Sequence, residues 1–227
     1  MLISYNIDVL GVSETWLTSD IPDSFVAISG YHIVRCDNPS LVKKHGVAIY
    51  IRNSINYLNV PSGVNNLAVI FLVDFGIYVV TVYRPPSYNN DENVALLEFL
   101  VHFCCDKEVL VQGDFNLPSL LWHRCNPIEN YTSPVDNLFF DCFSDVGFTQ
   151  VVKEATNFPS GTTLDLCLVT HAERICSWHV CNHLCLLAHM VLYLSAIHFR
   201  KLLKTMPILL KTEGYGLEVD IASWLSV

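Results

Sequence analysis

Charge is scarce in this sequence. Only 15% of its 227 residues are Asp, Glu, Lys or Arg, against 52% hydrophobic residues. Basic residues are scarcest: 13 Lys and Arg stand against 22 Asp and Glu, a formal net charge of -9. That balance argues against a protein that grips nucleic acid by broad neutralisation of phosphates. It does not exclude an enzyme whose acids gather around a metal ion, because the cation reverses the local field. So little surface charge also suggests that a partner, or further chain, covers part of the molecule. No CxxC pair occurs among the 9 cysteines. They read as reduced, buried small hydrophobes of an intracellular protein, nuclear or cytoplasmic rather than secreted. Cys176, Cys181, His183 and Cys185 match no standard zinc spacing. No basic segment follows Met1, so no secretory leader is expected. The most apolar run, 184–197, carries His189 and falls below the roughly 18 residues of a membrane span. Repeats and low-complexity tracts are absent.

What is present is one domain's worth of alternating strand and helix patterns over 1–187, followed by a tail, 188–227, whose periodicity is muddled. Residues 109–116 are the most informative stretch. A short apolar run stops at Gly113 and presents Asp114-Phe115-Asn116. Alternation along a strand turns Asp114 and Asn116 to one side and Phe115 into the core. The bland alternative is a strand followed by an Asp/Asn turn. Other strand candidates occupy 7–12, 31–35, 46–52, 67–73, 77–83, 148–152, 163–170 and 178–187. A tight Asp74-Phe75-Gly76 turn joins two of them into a hairpin. Helical periodicity is expected over 94–104 and 135–146.

Polar residues collect where these strands end: Glu14, Tyr83 and Arg84, Asp114 and Asn116, Asp165, and Asn182-His183. Asp165 lies within an apolar run, where a carboxylate needs a partner. A layered α/β fold would bring such ends to one rim. The chemistry then on offer is metal-assisted hydrolysis of a phosphodiester. Glu14 could hold Mg²⁺, Asp114 could deprotonate a water, and Asn116 could donate to a phosphate oxygen. Asp165 could pair with His183 beside the developing charge, and Tyr83 and Arg84 could contact the backbone phosphate.

Five motifs then occur in order: Ser13-Glu14-Thr15-Trp16-Leu17, Gly46-Val47-Ala48-Ile49-Tyr50-Ile51-Arg52, Val82-Tyr83-Arg84-Pro85-Pro86, Gly113-Asp114-Phe115-Asn116 and Thr163-Leu164-Asp165-Leu166. Together they resemble the endonuclease/exonuclease/phosphatase family, and within it the endonuclease domain of non-LTR (LINE-type) retrotransposons. The resemblance implies a four-layer α/β sandwich, two packed mixed sheets flanked by helices. It implies Mg²⁺-dependent nicking of DNA (Mn²⁺ being the other ion such a site takes), beside a reverse transcriptase domain absent from this chain. It makes Glu14 the metal ligand, Asp114 the activator of water and Asn116 the residue that positions water and phosphate. Tyr83 then lies at the rim, Asp165 orients His183, and Thr163 is the hydroxyl residue that precedes this acid by two places. Two departures stand out. The family's first strand, ending in a metal-binding asparagine, is expected to be missing at the N-terminus. The family's closing Ser-Asp-His is Cys181-Asn182-His183 here, with Asn182 in place of an acid at the metal. The sequence therefore carries three readings: a Mg²⁺ endonuclease with weak, salt-dependent DNA binding; a truncated and impaired relative; and a phosphoesterase acting on a small phosphorylated substrate.

Overall fold

The computed structural model describes residues 7–37, 45–120, 122, 133–157 and 159–175. The strand candidate at 178–187, and with it Asn182, His183 and the cysteines from 176 onward, lies outside the described residues.

Two sheets pack face to face. The smaller is antiparallel in the order β1-β3-β2, from β1 (Val9–Ser13), β2 (Tyr31–Cys36) and β3 (Val47–Arg52). The larger runs β4-β5-β6-β7-β9-β8, from β4 (Tyr57–Val60), β5 (Leu67–Leu72), β6 (Ile77–Tyr83), β7 (Val109–Asp114), β8 (Thr149–Gln150) and β9 (Asp165–Val169). It is mixed, because β6 and β7 are parallel while every other pairing is antiparallel. That parallel pair needs a crossover, and helix α2 (Asn90–Cys104) supplies it. Helix α3 (Pro134–Val146) packs beside α2 on the same face. Short α1 (Asp23–Val26) belongs to the opposite side, where the Tyr50 hydroxyl donates to the Val26 carbonyl at 2.8 Å. In order, the layers are α2 and α3, the large sheet, the small sheet, and the α1 segment. This is the four-layer α/β sandwich, although the small sheet is antiparallel rather than mixed over its described strands.

Both faces of the large sheet are covered, so its strands are continuous apolar runs rather than alternating ones. Val80, Val82, Val109, Val111, Leu166 and Leu168 meet Leu96, Leu100, Phe139 and Phe143 of the helices. Val79, Leu110, Cys167 and Val169 meet Val47, Ile49 and Ile51 of the small sheet. The hairpin turn forms as expected: Gly76 takes φ +68° and donates its N–H to the Leu72 carbonyl at 2.8 Å.

Short α1 has no counterpart in the sequence expectation, the expected 148–152 strand shrinks to Thr149–Gln150, and α2 and β4 differ for identifiable reasons. Helix α2 starts at Asn90, four residues before the periodic stretch. Asn89 caps it through the Glu92 N–H at 2.9 Å, and the Glu92 carboxylate returns to the Asn89 N–H at 2.8 Å. This reciprocal box satisfies two backbone donors and lets a polar first turn join the helix. Strand β4 is absent from the sequence reading because it has no buried face to leave an alternation. Leu58 and Asn59 are exposed, and the strand is held by its ladder to β5.

Candidate active site

Three adjacent strands carry a graded row pattern. On the face turned towards the small sheet, Val79, Leu110 and Val169 lie side by side; Thr81, Gln112 and Cys167 form the next row; Tyr83, Asp114 and Asp165 form the last. Apolar, neutral polar and ionisable rows thus succeed one another towards one end of the sandwich. Side chains at paired positions share a face, so the register itself gathers Tyr83, Asp114 and Asp165.

The small sheet closes over these rows. Gly11 of β1 lies so near the middle row that a Cβ there would stand 2.4 Å from Gln112 Nε2 and 2.5 Å from Thr81 Oγ1. Only glycine allows this approach. Beneath it, a cavity of about 20 Å³ is lined by Gly11, Ser13, Thr81, Gln112, Asp165 and Cys167 among others, room for about one water molecule. Two residues further along β1, the chain leaves the strand and Glu14 arrives above Tyr83 and Asp114. Glu14 and Trp16 both take left-handed backbone, φ +54° and +55°. Neither is glycine, so this conformation costs on the order of 1–3 kcal/mol at each. The Thr15 N–H to Gly46 carbonyl bond, 3.1 Å, and the Trp16 N–H to His45 carbonyl bond, 2.9 Å, hold the segment in place.

The electrostatics follow from this crowding. Burial first, then the neighbouring Glu14 charge, pushes the Asp114 carboxyl up to about 7, although the Asn116 N–H bond and Arg84 oppose the rise. The Tyr83 phenol is raised by burial and by donating to the Glu14 carboxylate. Two carboxylates therefore face each other with too little compensating charge. Among the described residues no cluster of three or more His, Cys, Asp or Glu forms a closed metal cage. An open pair of oxygen ligands is what Mg²⁺ accepts, since it keeps most of its waters. The donor set and its unrelieved charge fit a divalent cation.

The loop after Asp114 is over-determined. Gly113 has φ +139°, and a Cβ there would lie 1.9 Å from the Val82 carbonyl oxygen. Asp114 Oδ1 accepts the Asn116 N–H at 2.9 Å, Asn116 Nδ2 donates to the Arg84 carbonyl at 3.1 Å, and Phe115 is fully buried. Asn116 itself takes φ +48°. The Asp/Asn turn of the bland alternative is thus present, with Asp114 as its accepting side chain.

Arg84 is turned inward rather than towards the rim. Its guanidinium is buried, and its Nε donates to Asn93 Oδ1 at 2.8 Å. Its Nη1 donates to the Phe115 and Asn116 carbonyls, each at 3.2 Å, and the group lies 5.3 Å from the Phe139 ring centroid. Burial lowers its pKa, with Asp136 and Asp114 working in the opposite sense. The sequence expectation of a direct phosphate contact came from its position at a strand end. The structure makes Arg84 the brace that fixes the Asp114–Asn116 loop to both helices. Thr163 is also turned inward, donating to the Glu154 carbonyl at 2.8 Å.

Asp165 has the partner that its burial demands, and that partner is Thr156, whose Oγ1 donates to Oδ2 at 3.0 Å. The same hydroxyl oxygen accepts the N–H groups of Leu164 and Asp165, at 2.9 and 3.1 Å. Asn182 and His183, the expected metal-site and phosphate-site residues, lie outside the described residues. Sequence reasoning missed Thr156, Gln112 and His45. Thr156 and Gln112 carried no pattern of their own. His45 sits immediately before the Gly46 strand motif, and its ring centroid lies 5.5 Å from that of Tyr83, edge to face.

A family model described as endonuclease-reverse transcriptase matches residues 77–192. Among solved structures, an AP endonuclease from Leishmania major is similar at a TM-score of 0.59 and 16% identity. That match covers 77% of this chain and 73% of that one. The endonuclease domain of TRAS1, a telomere-specific non-LTR retrotransposon, is similar at a TM-score of 0.59 and 12% identity, covering 78% of this chain and 80% of that one. No curated protein matches the chain.

Proposed function

We propose, from the premise that this chain belongs to the endonuclease-reverse transcriptase family, that it is a Mg²⁺-dependent DNA endonuclease of non-LTR retrotransposon origin. The observation that carries this reading is the ionisable row Tyr83, Asp114 and Asp165 lying beneath Glu14.

In this reading Glu14 would hold Mg²⁺ (or Mn²⁺), which supplies charge stabilisation at a phosphoryl oxygen. Asp114 takes the proton of the attacking water. A carboxyl raised towards neutrality is a stronger base than an ordinary aspartate, once it is ionised. Asn116 uses one of its two amide hydrogens on Arg84 and directs the other towards the phosphate and the water. Tyr83, kept protonated by burial and by Glu14, remains a hydrogen-bond donor at the rim. Asp165, Thr163 and Arg84 act indirectly. Asp165 orients His183, while Thr163 and Arg84 fix the backbone on either side of the acids. Asn182 stands where the family carries an acid, and Asn182→Asp is expected to raise the rate by restoring negative charge at the cation. The product is a nick with a 3′-hydroxyl, suited to priming a reverse transcriptase.

Supercoiled plasmid incubated with the protein and Mg²⁺, then with a DNA polymerase and labelled nucleotide, tests this reading. Relaxed circles that a polymerase extends are the expected product. Folded protein that leaves the plasmid intact would instead support an impaired relative with the same fold. Hydrolysis of small phosphomonoesters without nicking would support the phosphoesterase.

A further inference from the structure

Glu14 and Asp114 come from different sheets. Glu14 follows β1 of the small sheet, and Asp114 ends β7 of the large one. A cation on Glu14 and a water on Asp114 must keep a fixed separation, because Mg²⁺ demands near-ideal coordination geometry. The spacing of the two sheets at this end therefore matters to the site.

Asn66 spans that gap. It immediately precedes β5 of the large sheet, is 2% exposed and takes left-handed backbone at φ +56°. Asparagine is among the few side chains that tolerate this backbone. Its Oδ1 accepts the N–H of Gly46, the residue before β3 of the small sheet, at 3.0 Å. Only the amide oxygen can accept an N–H, so this bond fixes which way the amide faces. Nδ2 then donates to the Tyr88 hydroxyl at 2.9 Å, and the Asn66 carbonyl accepts the Tyr83 N–H at 2.9 Å. The Gly46 carbonyl in turn accepts the Thr15 N–H at 3.1 Å, and the Tyr83 phenol donates to the Glu14 carboxylate. The bonds close a circuit that runs from Glu14 through Thr15, Gly46, Asn66 and Tyr83 back to Glu14. A branch continues to the other acid. Asn93 Nδ2 donates to the Tyr88 carbonyl at 3.3 Å, and Asn93 Oδ1 accepts from Arg84, which grips the Asp114–Asn116 loop.

We propose that Asn66 is a positioning residue of the cation-dependent centre: it bridges the two sheets and holds Glu14 over Tyr83 and Asp114 at the separation a divalent cation needs. This deepens the endonuclease reading and rests on it. Asn66 acts through Gly46 and Tyr83 and not on the cation itself. Without its amide the Gly46 N–H loses its acceptor, and the segment carrying Glu14 loses its tie to the large sheet. Partners that orient metal ligands in this way typically account for about 10- to 100-fold in metal affinity.

Mg²⁺ binding measured by isothermal titration calorimetry without DNA, beside nicking across a Mg²⁺ titration, tests this. Asn66→Gly keeps the left-handed backbone and deletes the amide. Tyr88→Phe removes the hydroxyl that receives Nδ2. Glu108→Ala, which takes away the ion-pair partner of Arg174 before the opposite end of β7, is the control for lost stability. Asn66→Gly is expected to weaken Mg²⁺ binding about tenfold or more, and to raise the half-saturating Mg²⁺ for nicking by the same factor. Tyr88→Phe should shift both in the same direction by less. Glu108→Ala should lower the melting temperature and leave both unchanged, which is how a merely structural residue behaves. Folded Asn66→Gly that binds Mg²⁺ like wild type overturns the proposal and leaves the endonuclease reading intact. If Asn66→Gly does not fold, unchanged Mg²⁺ affinity in Tyr88→Phe overturns it, and so does wild type that binds no Mg²⁺. Binding of Mg²⁺ that depends on Asn66 without any nicking supports the positioning role and removes the endonuclease reading.

Discussion

Asp114, the base of the proposed reaction, is the carboxyl whose burial is least relieved by its neighbours. Its carboxyl is raised from an ordinary value of 3.8 to about 7 by burial and by Glu14. The folded state therefore retains a proton that the unfolded chain has lost between those values, and stability falls as pH rises through that window. Asp114→Asn removes the penalty. In metal-free buffer it should raise the melting temperature at pH 8, and the gain should vanish near pH 4. A gain that is equal at both pH values would refute this electrostatic account. Mg²⁺ favours the carboxylate, so it should stabilise the wild type more than Asp114→Asn, which keeps only Glu14 to hold the cation. Gly113 is fixed on steric grounds alone. Gly113→Ala places a Cβ against the Val82 carbonyl at a φ few side chains adopt. Urea unfolding should show a loss of about 1–3 kcal/mol from backbone strain, with more from the clash. A neutral result would mean that β7 shifts freely against β6.

At the scale of elements, the β6–β7–β9 register gathers Tyr83, Asp114 and Asp165, and Arg84 locks the loop that follows. Arg84→Met would strip hydrogen bonds from Asn93, from the buried Phe115 carbonyl and from the half-buried Asn116 carbonyl. Leaving such groups unpaired costs about 1–3 kcal/mol each, and the misplaced loop should lower kcat more than it raises KM. Asn89→Ala removes the cap of α2 at about 1 kcal/mol and should leave the rate per folded molecule unchanged. A loss of rate there would tie the helix N-terminus to the site.

The same scale shows what the sequence could and could not convey. Central strands, both long helices and the Asp74–Gly76 turn were legible because apolar runs, 3.6-residue periodicity and turn residues are local signals. Strand β4 was not, since an exposed edge strand has no buried face to mark it. Strand ends announced Glu14, Tyr83, Asp114 and Asp165 as candidates. They also announced Arg84 as a phosphate contact, because a sequence does not tell which way a strand-end arginine turns. Thr156 was silent for the same reason: its bond to Asp165 spans a turn whose shape only the folded chain sets.

At the scale of the whole molecule, an acidic chain closes two sheets over a pair of carboxylates and leaves its described arginines tied internally. Among the described residues no helix is long and apolar enough to cross a membrane. With a net charge of -9, DNA binding is expected to be weak and to weaken further with salt. Affinity that is retained at high salt would show an unrecognised binding surface.

The central claim is that Glu14 and Asp114 form one cation-dependent centre, and nicking rate measured across a Mg²⁺ titration addresses it most directly. Wild type should saturate. Glu14→Gln should need far more Mg²⁺ to reach its lower plateau, and Asp114→Asn should lose about 10²–10⁴-fold of the rate at every concentration. Nicking that proceeds in EDTA, or that survives Asp114→Asn at the wild-type rate, would contradict the account.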